Sequence, residues 1–185
     1  MPLFSAFEIL LETLAPAGVL PPGIPNPTVL QGYWVQVSLV PNAPVQQALF
    51  NIVFCETTDF TQGPFGQASV QAQYIDPQGM ANIYDQFFAS TGRGFLNQRI
   101  AAGQTIIYGV QCIPPAGALE APIPQGGTGW RGTVSIDVQG STRGLLSATP
   151  THRLLYFNPM TPQYPASIDE AVYAVPTASG TTITG

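Results

Sequence analysis

Lysine is absent from this chain of 185 residues, and charge of either sign is scarce. Only 8% of the residues are Asp, Glu, Lys or Arg, where about 25% is typical of globular proteins. The five cations are all arginines, and the formal net charge is −5. Nucleic acids and anionic membranes are captured by basic patches, so we expect neither as a partner.

The missing lysine also excludes a Walker A phosphate loop and Schiff-base chemistry. No run reaches the roughly 18 apolar residues that a membrane span requires. The first residues lack the positive segment of a secretory signal peptide. Localisation is therefore open, with an intracellular or particle-associated protein as the default expectation.

Cysteine and histidine are nearly absent as well. Cys55 and Cys112 each lie in an apolar run, which favours two buried free thiols over one inter-strand disulfide. Both are far in sequence from the single histidine, His152, whereas zinc needs three or four ligands at short spacing. We therefore expect no metal and no cofactor. We also expect no enzyme, although one that uses His152 is the lesser alternative.

The N-terminal residues carry the signals of a short helix over 4–15. Ser5 and Glu8 have the spacing of a capping box, and Pro16 would end the helix. Its apolar stripe consists of Phe7, Leu10, Leu11 and Leu14. Three turns are not stable alone, so we expect this stripe to dock on another surface.

Residues 16–27 are rich in proline and glycine, which predicts an extended connector. At ~3.1 Å per residue it would span on the order of 35 Å. The chain then divides into an N-terminal helix and proline-rich arm at 1–27, a β-domain at 28–175 and a flexible tail at 176–185.

From residue 28 onward the apolar period changes from helical spacing to two. Nine apolar runs with glycine, proline and asparagine between them predict nine short strands. They lie at 33–39, 47–55, 68–74, 81–88, 94–100, 104–112, 131–139, 153–157 and 170–175. The turn at 76–79, Asp-Pro-Gln-Gly, predicts a hairpin. The predicted fold is all-β, an antiparallel β-sandwich or jelly roll of about 8–9 strands with a short N-terminal helix on a proline-rich arm.

Residues 127–132 spell the G-x-G-x-x-G pattern of dinucleotide-binding proteins. That site requires a strand before the pattern, a helix after it and an acid about twenty residues on. Here a long Pro/Gly loop at 114–129 precedes the pattern and a predicted strand follows it. We interpret the pattern as a flexible loop that enters an edge strand.

Two tryptophans offer weak ligand platforms. Trp34 falls on the polar phase of its strand, opposite the stripe that begins at Tyr33. Trp130 and Arg131 stand at the mouth of the long loop. The simpler interpretation is that Trp34 covers the sheet beneath the arm and that Trp130 closes one end of the sandwich.

Soluble β-proteins protect their sheet edges with charge, and above all with lysine. A β-protein without lysine covers its edges or uses them in assembly. We therefore predict a structural or interaction protein, a self-assembling homo-oligomer, shell, coat or filament. Residues 1–27 would dock on a neighbouring subunit through Phe7, Leu10, Leu11 and Leu14. The alternative is a ligand-binding module, for example for carbohydrate, that uses Trp34 or Trp130.

Overall fold

The computed structural model describes residues 3–16, 18–24, 26–60, 69–85, 87–89, 93–113, 127–140, 145–157, 167–178 and 183–184. These residues form eleven strands and a short 3₁₀ turn at Phe87–Ala89. The strands are β1 (Leu3–Thr13), β2 (Thr28–Leu39), β3 (Gln47–Asp59), β4 (Ser69–Ile75), β5 (Ala81–Asp85), β6 (Gly94–Ala101), β7 (Thr105–Ile113), β8 (Thr128–Val138), β9 (Leu146–Phe157), β10 (Ser167–Ala174) and β11 (Ile183–Thr184).

All strands belong to one hydrogen-bonded sheet, with the order β5-β4-β7-β2-β1-β8-β3-β6. Every pairing between them is antiparallel. The sheet forks at β2, because β9 lies along one edge of this strand while β1 and β7 share the other edge. Residues 28–31 pair with β1 and residues 32–38 pair with β7. β10 and β11 continue the sheet beyond β9.

The core lies between the two branches of the curled sheet and is rich in aromatic rings. Phe95 on β6 contacts Tyr108 on β7, with ring centroids 5.1 Å apart, and Tyr74 on β4 at 5.9 Å. Phe7 stacks on Phe88 at 5.8 Å. Side chains at alternate positions of β2, β3 and β8 fill the space between these rings. The predicted all-β antiparallel class is therefore confirmed.

The helix predicted over 4–15 is wrong, because this segment is strand β1. β1 lies between β8 and the start of β2 and pairs with both. The segment fits both periods, since Phe7, Ile9 and Leu11 also lie at alternate positions and enter the core. A helix of three turns has little stability of its own, so pairing with two distant strands overrides its helical signals. The residues of the expected capping box serve other contacts: Ser5 hydrogen-bonds Tyr33, and Glu8 pairs with Arg131.

The extended arm predicted over 16–27 is also wrong. Its two ends meet, because Leu14 N–H donates to the Pro27 carbonyl at 2.8 Å. The Asn26 side chain closes the loop further, with hydrogen bonds to Ala15 N–H at 3.0 Å and to the Ala15 carbonyl at 2.7 Å. Turns at Pro16 and Pro21 fold the chain back. The segment is a connection between the neighbouring antiparallel strands β1 and β2.

The predicted hairpin is confirmed, since β4 and β5 pair around the turn at 76–79. Gly79 N–H donates to the Asp76 carbonyl at 2.9 Å, and the Asp76 carboxylate accepts from Met80 N–H at 2.8 Å. Gly79 has a φ of 84°, a conformation in which glycine meets little steric cost. At the other end of the chain, Ala178 N–H donates to the Phe4 carbonyl at 2.7 Å beside an isolated bridge between Ser5 and Thr177.

Candidate functional site

A groove lies on the face of the sheet opposite the core, where β7, β2, β9 and β10 run side by side. Its volume is about 370 Å³. We call it the Trp34 groove, after the tryptophan in its floor. The residues used below are Leu30, Gly32, Trp34, Gln111, Arg153, Leu155, Glu170 and Val172.

Register places three of these residues in one row across the sheet. Gly32 is the cross-strand neighbour of Gln111 on β7 and of Arg153 on β9. Because Gly32 has no side chain, the row has a gap at its centre, between the Gln111 amide and the Arg153 guanidinium. Glu170 lies one row away, opposite Leu155. The groove therefore carries a cation and an amide near its centre and a carboxylate at one side.

Trp34 lies against the backbone of β7. A Cβ atom at Gly109, its cross-strand neighbour, would approach Trp34 Cε3 to 2.2 Å. The Arg153 guanidinium lies over the indole, 4.4 Å from the ring centroid, and only 6% of Trp34 is exposed. Trp34 therefore occupies the outer face, as its sequence phase predicts, but its ring is covered.

Trp130 and Arg131 do not join Trp34. Trp130 is in the core, 6% exposed, with its ring centroid 6.0 Å from that of Phe88. Arg131 points away from the core, where it pairs with Glu8 and lies 5.0 Å from the Phe60 ring centroid. The three candidate platform residues thus belong to three different environments.

Sequence reasoning missed Arg153, Gln111 and Gly109. Register brings all three beside Trp34 or its neighbour Gly32, from strands that are far apart in the sequence. Alternation within β9 and β7 indicates which face of the sheet each side chain occupies. It does not reveal which strand lies next to which. No local pattern would have grouped them.

The glycines of the G-x-G-x-x-G pattern have a steric explanation. β8 is a central strand between β1 and β3, so the predicted edge strand is wrong. A Cβ at Gly129 would lie 2.0 Å from the Ile9 carbonyl oxygen, and one at Gly132 would lie 2.6 Å from Phe7 Cζ. These glycines leave room for the backbone and the Phe7 side chain of β1, which pairs with β8. The long loop that precedes them, residues 114–126, lies outside the described residues.

Three of the four residues of the predicted interface stripe are buried within the chain's own sheet. Phe7, Leu10 and Leu11 are buried, with exposures of 3%, 4% and 1%. Leu14, just beyond β1, is 56% exposed. The strand conformation explains the split, because helical spacing no longer places these four side chains on one face.

The thiols differ in environment. Both cysteines are free, but Cys55 is exposed, so the expectation that both are buried is wrong for Cys55. Burial raises the pKa of the Cys112 thiol to about 12. No group of three or more His, Cys, Asp and Glu side chains suited to a metal occurs among the residues that the structure describes.

His152 lies beside β1 where this strand leaves β2. Its Nε2 accepts a long hydrogen bond of 3.5 Å from Glu8 N–H, and its Nδ1 is 3.1 Å from the Tyr173 hydroxyl. Gln31 donates to the Glu8 carbonyl at 2.8 Å. Side chains thus form hydrogen bonds with the backbone of β1 where none of the described strands pairs with this edge. The geometry favours a structural role for His152, since the nearby Ser5 hydroxyl is buried and bonded to Tyr33.

Stability is expected to fall at mildly acidic pH because of His152. Burial lowers the pKa of this imidazole, and the Glu8 carboxylate raises it by a smaller amount. The unfolded chain therefore takes up the proton first, at an ordinary pKa of about 6.5. The stabilisation is complete above that pH and is lost as pH falls through the lower pKa of the folded state.

Urea unfolding at about pH 7.5 and about pH 5 measures this effect, with His152→Gln as the reference. Glutamine keeps an acceptor for Glu8 N–H but does not titrate. We expect the wild-type midpoint to drop more than that of the variant. Carboxylates titrate in both proteins, so equal drops would contradict the prediction.

No family model matches the chain, and the search of curated proteins finds no significant match. No helix in the described part of the chain is long and apolar enough to cross a bilayer.

Proposed function

We propose that this protein is a structural subunit that assembles with copies of itself by pairing the free edges of β10. A single observation carries the proposal. β10 presents a regular, exposed edge, while the other outer strands of the described sheet are short or irregular. Lysine, the usual protection of such an edge, is absent from the chain.

The outer strands of the described sheet are β5, β6, β10 and β11, and β11 has only two residues. β5 is only five residues long. β6 is interrupted at Asn97, which has a φ of 53° and lies opposite a register shift between Phe50 and Ile52. Short length and bulges are two devices that block edge pairing. β10 pairs in unbroken register from Asp169 to Ala174 and, within the described residues, has only β9 as a partner strand.

The side chains of β10 are compatible with a twofold, antiparallel contact. A twofold axis through Val172 places the two copies of Val172 opposite each other and Glu170 opposite Ala174. No acid then faces an acid, so pairing brings no direct like-charge contact. Val172 and Tyr173 are 58% and 46% exposed and would lose apolar surface to water in such a contact.

The sequence predicts that residues 1–27 dock on a neighbouring subunit, but most of their apolar stripe is not available for such a contact. Phe7 and Leu11 already fill the core of their own chain. Leu14 is the one member of the stripe that is left exposed for a neighbour. We therefore propose β10 as the assembly contact in place of residues 1–27.

We also propose that the finer architecture is a β-sandwich, with β4 and β7 facing β3 and β6. The aromatic contacts between Phe95 and Tyr108 and between Phe50 and Tyr108 support two opposed layers. Such a subunit extends its sheet by adding a strand at β10, which requires no rearrangement of the core.

Mass measurement by light scattering after size exclusion tests the assembly. We expect the wild-type chain to form an oligomer and Val172→Lys to dissociate it, raising the dissociation constant about tenfold or more. The twofold axis brings the two introduced lysines close together, and like charges across a strand pair are destabilising. Val172 is exposed, so the thermal unfolding midpoint of the dissociated subunit should be unchanged.

Ile83→Lys on β5 and Leu96→Lys on β6 are matched controls, since both side chains are 56% exposed on outer strands. Both variants should keep the wild-type mass. A monomeric wild-type chain at high concentration would refute the proposal. Dissociation by Ile83→Lys or Leu96→Lys, with Val172→Lys still assembled, would place the contact at another edge.

A further inference from the structure

The Trp34 groove is open to a hydrogen-bond donor, the indole N–H of Trp34. The Trp34 indole N–H forms no hydrogen bond with any residue that the structure describes. Only 6% of the side chain is exposed, but the nitrogen atom itself is not fully buried and reaches the groove. Its Nε1 atom lies 3.1 Å from the position that a Cβ atom would take at Gly32. The N–H edge of the indole therefore faces the gap at Gly32. An indole N–H can only donate, so this edge is open to a hydrogen-bond acceptor in the groove.

A second donor stands beside the first. Arg153 lies over the Trp34 ring, and no carboxylate of the described chain forms an ion pair with it. Its guanidinium offers five N–H groups in a planar fork that matches a carboxylate. The Gln111 amide, on the other side of Gly32, makes one long hydrogen bond of 3.4 Å to Gln71. The Trp34 N–H and the Arg153 guanidinium thus bring two donor groups to the centre of the groove, while Gln111 can donate or accept.

These groups favour an anion over a sugar. A sugar ring stacks on the open face of an aromatic ring. Both faces of Trp34 are occupied, by the backbone at Gly109 and by Arg153, so only the N–H edge is available. An anionic oxygen at the gap over Gly32 would accept from this edge and from the guanidinium, in charge-assisted hydrogen bonds.

The other residues that line the groove indicate which kind of anion it would bind. Leu30, Leu155 and Val172 give the groove apolar sides, which suit an aliphatic or aromatic body. Glu170 brings a negative charge to one side. It would repel a doubly charged phosphate more strongly than a singly charged carboxylate. A volume of about 370 Å³ is at the small end of ligand pockets.

We propose that the Trp34 groove binds a small monocarboxylate with an apolar body. The carboxylate takes the gap over Gly32, between the Trp34 N–H and the Arg153 guanidinium. The body lies along Leu30, Leu155 and Val172. The carboxylate position lies inside the β10 edge, because Trp34 and Arg153 are on β2 and β9, whereas Val172 belongs both to the groove and to the proposed assembly contact.

Titration with sodium hexanoate, followed by the two indole N–H signals in a proton–nitrogen correlation spectrum, tests the proposal. Trp34→Phe assigns the signals, since Trp130 is the other tryptophan. Hexanoate should shift the Trp34 signal in a saturable way and leave that of Trp130 in place. Hexanamide, which has the same body without the charge, should bind at least about tenfold more weakly.

Arg153→Gln should weaken hexanoate binding about tenfold or more, because it removes the charge but keeps a polar side chain. Arg99→Gln on β6 is the matched control and should leave the affinity unchanged. Equal affinities for hexanoate and hexanamide, or unchanged binding by Arg153→Gln, would overturn the proposal. So would saturation by methyl glucoside or inorganic phosphate in the absence of any response to hexanoate. If the assembly proposal fails and the chain is a monomer, the titration is unaffected.

Discussion

A chain that lacks residues 1–13 is expected to remain unfolded. β1 is paired on one side with β8 and on the other with β2, so its removal opens two strand edges in the middle of the sheet. It also removes Phe4, Phe7, Ile9 and Leu11, which are each at most 3% exposed. Burying such side chains stabilises a protein by roughly 1.5–3 kcal/mol each. Their sum is comparable to a total stability of about 5–15 kcal/mol.

Circular dichroism and thermal unfolding of the truncated chain measure this effect. We expect no cooperative transition and poor dispersion of amide signals. A truncated chain with a cooperative transition near that of the full chain would show that β1 is dispensable. That result would restore the view of residues 1–27 as a separate arm.

Two substitutions within the same segment provide a sharper control. Phe7→Ala is expected to cost about 3–5 kcal/mol, because the ring contacts Tyr33, Phe54 and Phe88 in the core. Leu14→Ala is expected to change stability by less than about 0.5 kcal/mol, since Leu14 is exposed. A docked helix would bury both residues on one stripe, and the two costs would then be similar.

Gly109→Ala is expected to destabilise the protein by about 2–3 kcal/mol through its clash with Trp34. The new Cβ would lie 2.2–2.6 Å from three atoms of the indole, so either Trp34 leaves the sheet or β7 separates from β2. Displacement of Trp34 would also disturb Arg153, which lies over its ring. Urea unfolding measures the stability, and tryptophan fluorescence reports the exposure of the indole.

The same change should be tolerated when the indole is absent. In a Trp34→Ala background, Gly109→Ala no longer meets the ring, and it gains roughly 0.5–1 kcal/mol because alanine is favoured over glycine within a strand. The double-mutant cycle should therefore show strong coupling between the two positions. Gly32→Ala is a milder control, since its Cβ would lie no closer than 3.1 Å to Trp34. Additive effects of Gly109→Ala and Trp34→Ala would contradict the contact between Gly109 and the Trp34 ring.

Much of the strand pattern could be predicted from the sequence. Period-two alternation places Tyr33, Val35 and Val37 in the core and leaves Trp34 on the other face. The hairpin at 76–79 is a local feature, in which an aspartate and a glycine satisfy the turn by themselves. Such signals act over a few residues and do not need the rest of the molecule.

The predictions that proved wrong concern segments whose local structure is determined by distant strands. Residues 4–13 carry both a helical and a strand period, and only the presence of β8 and β2 on either side makes the strand the more stable state. The proline segment resembles an extended arm until Leu14 and Pro27 are known to be neighbours. Local propensity is a weak guide when tertiary pairing opposes it.

The amino-acid sequence by itself determined the all-β class, the phase of most strands and the scarcity of surface charge, because each depends on composition or on spacing within a few residues. The tertiary structure alone decided that β1 belongs to the sheet, that β10 has β9 as its one partner strand among the described residues, and that Gly32, Gln111 and Arg153 meet beside Trp34. The reason is that register between strands is set by core packing and by pairing across long stretches of chain. The Trp34 groove exists only once β7, β2 and β9 lie side by side.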